Sequence, residues 1–447
     1  MNLKSLRSHP LVAGTLLLTL SGLLTRLIGF FYRIFLSQRI GAEGMGIYQL
    51  TFPIHVLTIS LTSSAIQTAI SRFVAQAASS SCNSQESGTA FCQKKFCNEK
   101  CYLTAGLMLS LSLSGLCTVF LYRFSEPIAA RFLEEPRCAP LLEILALTIP
   151  FAAIHACING YFYGLKKTFV PAASQLLEQA ARVASVWLFF EISMEKHNAI
   201  SLNLIIWGMV VGEIAATLFS VSFLKRAKNR GSRLFALRQI FGMSLPLSAN
   251  RVLVNLLQSM EAVMIPGQLR QYGYSSSESL SVYGILTGMA LPMVLFPSVL
   301  TNSVSVMLLP AIAEAQEKKD FRYILTLIKR TCAYSLLLGF GCTVMFLLLG
   351  NWMGRFLFGN ELAGTFIVIL GWICPFLYLS TTLHSILNGL GRTTATFLLN
   401  VVGLGIRIGF VLFVIPMAGI KGYLWGLLLS QGVMAAGALA LLLKKHR

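Results

Sequence analysis

An all-α integral membrane fold is predicted by three features of this 447-residue chain: 55% of the residues are hydrophobic, only 12% are charged, and the mean hydropathy is +0.71. A water-soluble domain of this length carries more charge and less apolar surface. Twelve mostly apolar runs have the ~20-residue length that crosses a hydrocarbon core. They lie at 12–36, 46–76, 102–122, 139–163, 169–190, 201–224, 239–264, 281–312, 331–349, 362–387, 394–416 and 420–443. There is no Gly-X-Y period and no long polar tract, which excludes collagen-like and disordered classes. The ten cysteines are scattered rather than arranged as a disulfide framework.

The first run follows Lys4 and Arg7 as a signal peptide would, but no small-residue cleavage site closes it and Arg26 and Arg33 continue it. It is expected to be retained as a span. Within it Gly22, Arg26, Gly29 and Arg33 share one helical face, and in the second run Ser60, Ser64, Gln67 and Ser71 do the same. The fifth run carries Glu178 and Arg182 at the spacing of an intrahelical pair, and the sixth carries Glu213. The seventh aligns Ser244, Ser248, Arg251, Asn255 and Gln258, with Glu261 near its outer end, and the eighth aligns Ser298, Asn302 and Ser305. Arg407 lies in the eleventh run, where Asn400 of its own helix or a residue of the other half could receive it. Arg72 ends its span and is expected to snorkel.

An even number of spans puts both termini on one side, and basic residues favour the segments that share that side, so both termini are expected in the cytoplasm. The Lys225, Arg226, Lys228, Arg230, Arg233, Arg238 cluster reads as a topology determinant at the headgroups rather than an RNA-binding patch. No nucleic-acid partner is expected. The same cluster divides a repeat: an offset of 225 residues pairs Pro150-Phe151 with Pro375-Phe376, Gly164-Leu165 with Gly389-Leu390, Thr168 with Thr393, Arg26 with Arg251 and Arg182 with Arg407. Two pseudo-symmetric six-helix bundles, 1–225 and 226–447, are therefore expected around a central cavity. Parallel repeats of this kind occur in transporters, with the substrate between them.

Polar stripes at bilayer depth must face water or protein, because lipid cannot satisfy them and each central Arg costs ~2.5–3.5 kcal/mol on the insertion scale. Single Ser and Gly residues also serve helix packing. Arg26 and Arg251, with no acid one turn away, point instead to an anionic substrate, and the guanidinium fork suits a phosphate or diphosphate. Asn255, Gln258, Gln67, Ser64 and Asn302 would then hydrogen-bond a saccharide. Glu213 and Glu261 are candidate ion-coupling acids, with a simply paired or protonated carboxyl as the alternative. Arg182, Glu178 and Arg407 serve either structure or substrate.

The segment Thr25-Arg26-Leu27-Ile28-Gly29-Phe30, with Arg33, Arg39-Ile40-Gly41-Ala42-Glu43-Gly44-Met45-Gly46-Ile47-Tyr48, Pro53 and Ala69-Ile70-Ser71-Arg72, resembles stage V sporulation protein B-like flippases. These belong to the multidrug/oligosaccharidyl-lipid/polysaccharide exporter superfamily. The resemblance is strongest over residues 15–77. It implies alternating access of two bundles that move a polyprenyl-diphosphate-linked saccharide, such as a peptidoglycan or polysaccharide precursor, across the bacterial cytoplasmic membrane. It also implies a diphosphate role for Arg26 and Arg33, in a chain expected to act as a monomer among membrane lipids. Two further C-terminal spans of the lipid II flippases are not expected after the twelfth run, so the lipid tail would leave between other helices.

No catalytic or metal site is expected. Cys82, Cys92, Cys97 and Cys101 lack ribbon or finger spacing, and neither a phosphate-cradling loop nor a nucleophile elbow or zinc-protease motif occurs. His155 and His384 read as core or lumen hydrogen-bonders. No cofactor is expected beyond a coupling cation, sodium or proton. Two competing readings are a cation-coupled multidrug antiporter of the same fold, which would want an acidic and aromatic cavity, and an integral membrane glycosyltransferase, which would want a larger acidic extramembrane loop.

Overall fold

The computed structural model describes residues 10–86, 97–195, 201–224, 231–301 and 321–443, with Leu308 and Ile312. All regular structure among these is helical. Asn302, Ser305, Cys92 and the basic residues 225–230 lie outside the described residues, as does the side chain of Cys82.

The principal helices are α1 (Pro10–Ile59), α2 (Ala65–Glu86), α3 (Glu99–Arg123), α4 (Ala139–Ala146), α5 (Thr148–Gly164), α6 (Phe169–Glu195), α7 (Asn203–Ser222), α8 (Arg233–Tyr272), α9 (Ser276–Gly284), α10 (Leu291–Leu295), α11 (Phe321–Phe358), α12 (Glu361–Gly371), α13 (Cys374–Gly389), α14 (Thr393–Gly409), α15 (Ile415–Ala418) and α16 (Ile420–Leu443). Their starts follow local chemistry. Asn98 caps α3 by accepting from the Cys101 amide at 3.0 Å, Asn360 caps α12 through Ala363 at 3.1 Å, and Ser275 with Glu278 forms a capping box on α9.

Among the described residues eight helices are long and apolar enough to cross a membrane, or ten if each of the bent pairs α4–α5 and α12–α13 forms one span. That differs from the twelve runs read in the sequence for identifiable reasons. The first two runs are one apolar stretch, Leu16–Ser79, whose helix is interrupted at Gly41, where φ is 71°. The fifth run, 169–190 within α6, carries Glu178 and Arg182 with Gln175 and Gln179, which lower its apolarity too far to qualify. Membrane exposure is otherwise written on the surface: Leu116, Leu348 and Met417 are 70%, 76% and 82% exposed. Apolar side chains in such number on the outside suit lipid and not water.

The chain packs as two compact units, one of Met1–Gly29 with Leu50–Leu256, the other of Phe30–Gln49 with Leu257–Arg447. In the first unit, Ile66, Ile70 and Val74 of α2, Cys101 and Tyr102 of α3, and Ile158 of α5 share a core with Ala236 and Ile240 of α8. In the second, Ile324 and Ile328 of α11, Leu383, Ile386 and Leu387 of α13, and Ala438 and Leu442 of α16 form a core.

Two segments that match at the 225-residue offset share local backbone geometry. After α5, Leu165 and Lys167 amides bond the Tyr161 and Phe162 carbonyls; after α13, at the same offset, Leu390 and Arg392 bond Ile386 and Leu387. Lys166 and Gly391 occupy the same left-handed position, with φ of 58° and 74°. These are matched C-terminal caps of the left-handed type, in which a glycine is favoured and Lys166 is the strained member.

Candidate functional site

Two glycine pairs assemble a polar site in the first unit. Gly160 and Gly164 of α5 lie against the α2 backbone, and a Cβ on them would meet the Gln67 and Ser71 carbonyls at 2.6 and 2.7 Å. Gly212 of α7 lies against α6, its added Cβ 2.8 Å from the Glu178 carbonyl, and Gly208 packs on Val186. Both pairs have the small-x-x-x-small spacing that lets membrane helices approach closely. The approach sets Gln67 beside α5 and brings Glu213 next to Glu178 and Arg182.

The resulting cavity, about 260 Å³, is lined among others by Ser64, Gln67, His155, Asn159, Glu178 and Glu213. Arg182 donates to Glu178 one turn earlier on α6. His155 Nδ1 faces Glu213 Oε2 at 3.5 Å, while its Nε2 lies 3.0 Å from Ser174 Oγ. One ligand atom from each of His155, Glu178 and Glu213 falls within 4.8 Å of the others. His55 is buried close enough to feel the charges of Glu213 and Arg182. Counting the Glu178–Arg182 pair as neutral, Glu213 is the surplus acid, and its Oε2 has no hydrogen bond among the described residues.

Two of the stripes read in the sequence meet each other. At Ser60–Ser64 the helix widens into a π-turn, which loosens its carbonyl ladder. Arg251 donates to the Ser64 carbonyl at 2.7 Å and to the Ser64 hydroxyl, and reaches Thr68 Oγ1 at 3.3 Å; Asn255 donates to Ser60 Oγ. The pairs 255–60 and 251–64 step by one turn in opposite directions, so the two stripes run antiparallel. Arg251 is thereby satisfied by protein in this state. Gln258 is exposed and Gln67 half-buried. Arg26 is exposed and makes no hydrogen bond or ion pair among the described residues. Gly29, one turn on, rests against Gln179 of α6.

In the second unit, Arg33 is half-buried and lies near Tyr48. Arg407 pairs with Glu261 at 3.0 Å, and Tyr423 donates to the other Glu261 oxygen at 2.8 Å. The partner of Arg407 is therefore neither Asn400 nor a residue of the first half of the chain. Sequence reasoning named the acids and arginines and read His155 as a core or lumen hydrogen-bonder, but passed over Ser174, Asn159, His55 and Tyr423. The glycine pairs flanking them were the legible signal, since close helix approach marks which neighbouring polar residues can meet.

A family model described as "Polysaccharide biosynthesis protein" matches residues 11–316. The chain is 27% identical over 429 residues to stage V sporulation protein B of Bacillus subtilis (strain 168), covering 92% of this chain and 79% of that protein. It is 22% identical over 381 residues to the lipid II flippase MurJ of the same organism, covering 79% and 67%. Among solved structures it resembles an inward closed conformation of the lipid II flippase MurJ, at a TM-score of 0.70, 15% identity and coverage of 96% and 87%. It also resembles an inward-facing multidrug resistance MATE transporter of the MOP superfamily, at 0.68, 14% and 93% of both chains. The fold is that of these multi-pass membrane transporters, and the chain belongs to the polysaccharide biosynthesis protein family.

Proposed function

We propose that the protein is a flippase that carries a polyprenyl-diphosphate-linked saccharide across the bacterial cytoplasmic membrane by alternating access, with both termini cytoplasmic. The observation that carries this reading is Arg26: a cation within an apolar span, exposed and without a protein partner among the described residues. A guanidinium in that setting calls for an anion, and a diphosphate fits its bidentate fork. Arg33 would assist from the same helix, and Arg251 would join when its bonds to Ser64 and Thr68 open. Transport rather than catalysis agrees with relatives that include a lipid II flippase.

The test is transfer of a labelled polyprenyl-diphosphate saccharide between leaflets of reconstituted vesicles. Arg26→Ala is expected to abolish transfer at normal yield of folded protein, and Arg26→Lys to impair it strongly because a point charge does not replace the fork. Wild-type rates in Arg26→Ala would remove the diphosphate clamp.

A second reading, a cation-coupled multidrug antiporter, draws on the acidic cavity that holds Glu178, Glu213 and Tyr163. Accumulation of organic cations by the vesicles, with no transfer of the lipid, would favour it.

A further inference from the structure

We propose that His155 and Glu213 form a proton-binding site in the first unit, a site that deepens the flippase reading and rests on it by supplying the coupling ion. The argument starts from the hydroxyl of Ser174. Its contacts besides His155 are two acceptors, the Pro171 carbonyl at 3.0 Å and Asn159 Oδ1 at 3.4 Å. With its own proton given to these, Ser174 Oγ accepts from His155 Nε2, so the neutral ring carries its hydrogen there. Nδ1 is then a bare lone pair, and it looks at Glu213 Oε2 across 3.5 Å. Two acceptors face each other in a buried place, and Glu213 Oε2 has no other hydrogen bond among the described residues.

One proton resolves this. A hydronium reaching the cavity loses an O–H bond, an N–H bond forms at Nδ1, and the imidazolium then donates to the Glu213 carboxylate. Release reverses the step, with no change of oxidation state. The charged groups around the pair are Glu178 and Arg182 from α6 and His55 from α1. Glu178 and Arg182 cancel each other, and His55 sits beside the same charges with its own Nδ1 unbonded among the described residues. Ser64 and Gln67 add only neutral groups from the second-run stripe to the cavity wall.

A dehydrated alkali cation fits this place poorly. It needs several oxygen ligands in place of its water, whereas Arg182 occupies one of the two carboxylates and a ring nitrogen faces the other.

The experiment is ring-nitrogen NMR of ¹⁵N-histidine-labelled full-length protein in lipid nanodiscs, titrated over about pH 5 to 8, with His155 assigned by His155→Gln. Nε2 is expected to stay protonated throughout while Nδ1 gains a proton in one step. Glu213→Gln should lower the proton affinity of that step about tenfold or more, and Ser174→Ala should let the neutral ring populate both tautomers. A His155 titration indifferent to Glu213→Gln, or a ring that never changes state, overturns the proposal. So does a shift of the His155 signal on adding sodium at constant pH that disappears in Glu213→Gln, which would make this an alkali-cation site. Lipid transfer is measured on the same preparations: a normal titration without transfer defeats the flippase reading and leaves the proton site standing, whereas transfer without the titration defeats the proton site alone.

Discussion

Arg182 and Arg407 stand 225 residues apart, at positions that match when the sequence is laid against itself, yet the two units treat them differently. Arg407 meets one carboxylate, Glu261, whose other oxygen is taken by Tyr423, and the acid of this triad has a partner at each oxygen. Arg182 meets Glu178 on its own helix, and a second acid, Glu213, is left over beside two histidines and a cavity. The two matched positions carry the same cation. One copy is locked and the other is left one charge short, and an intramembrane site short of one positive charge is where a proton or cation can act.

The largest expected effect tests the locked triad. Glu261→Ala leaves the half-buried Arg407 without its acid and should cost about 3 kcal/mol, the lower end of the loss when one member of a buried pair is removed. Glu178→Ala should cost well under that, because Glu213 remains near Arg182. Thermal unfolding of the two variants in detergent decides the matter, and equal losses would erase the contrast between the units. The next effect concerns helix approach. Gly212→Ala puts a methyl 2.8 Å from the Glu178 carbonyl, a backbone atom that cannot rotate aside, and should cost about 1–3 kcal/mol while disturbing the His155–Glu213 pair. Gly242→Ala meets open space on α8 and should be neutral or slightly stabilising; comparable losses at both would mean that packing at Gly212 is not special. The smallest effect sharpens the comparison from the other side. Tyr423→Phe removes one hydrogen bond to Glu261, worth about 1 kcal/mol, and leaves that acid with a spare oxygen as Glu213 has. The same unfolding assay should show a small loss, and none at all would mean the hydroxyl contributes nothing to closing the triad.

Much of the fold was readable because bilayer thickness imposes a length and an apolarity on every span. The count was less so. Charge within α6 and the interruption at Gly41 inside a continuous apolar stretch blur where one span ends, and each is a local departure from the rule that was being read. For the site, residue type and helical period were enough to single out Arg26, Arg251, Glu213 and Glu261, since ionisable groups at bilayer depth are costly wherever they occur. They could not say that Arg251 is spent on Ser64 and Thr68 while Arg26 has no such partner among the described residues, because that depends on which helix lies alongside.

What composition and periodicity determined for this protein is a multi-pass helical chain with cations set within apolar runs, and they did so through one-dimensional constraints: span length and charge placement. Tertiary structure decided the pairings. Glycine pairs fix which helices touch, touching helices fix which acid each arginine finds, and the leftover acid at Glu213 is a property of three helices together that no single segment carries.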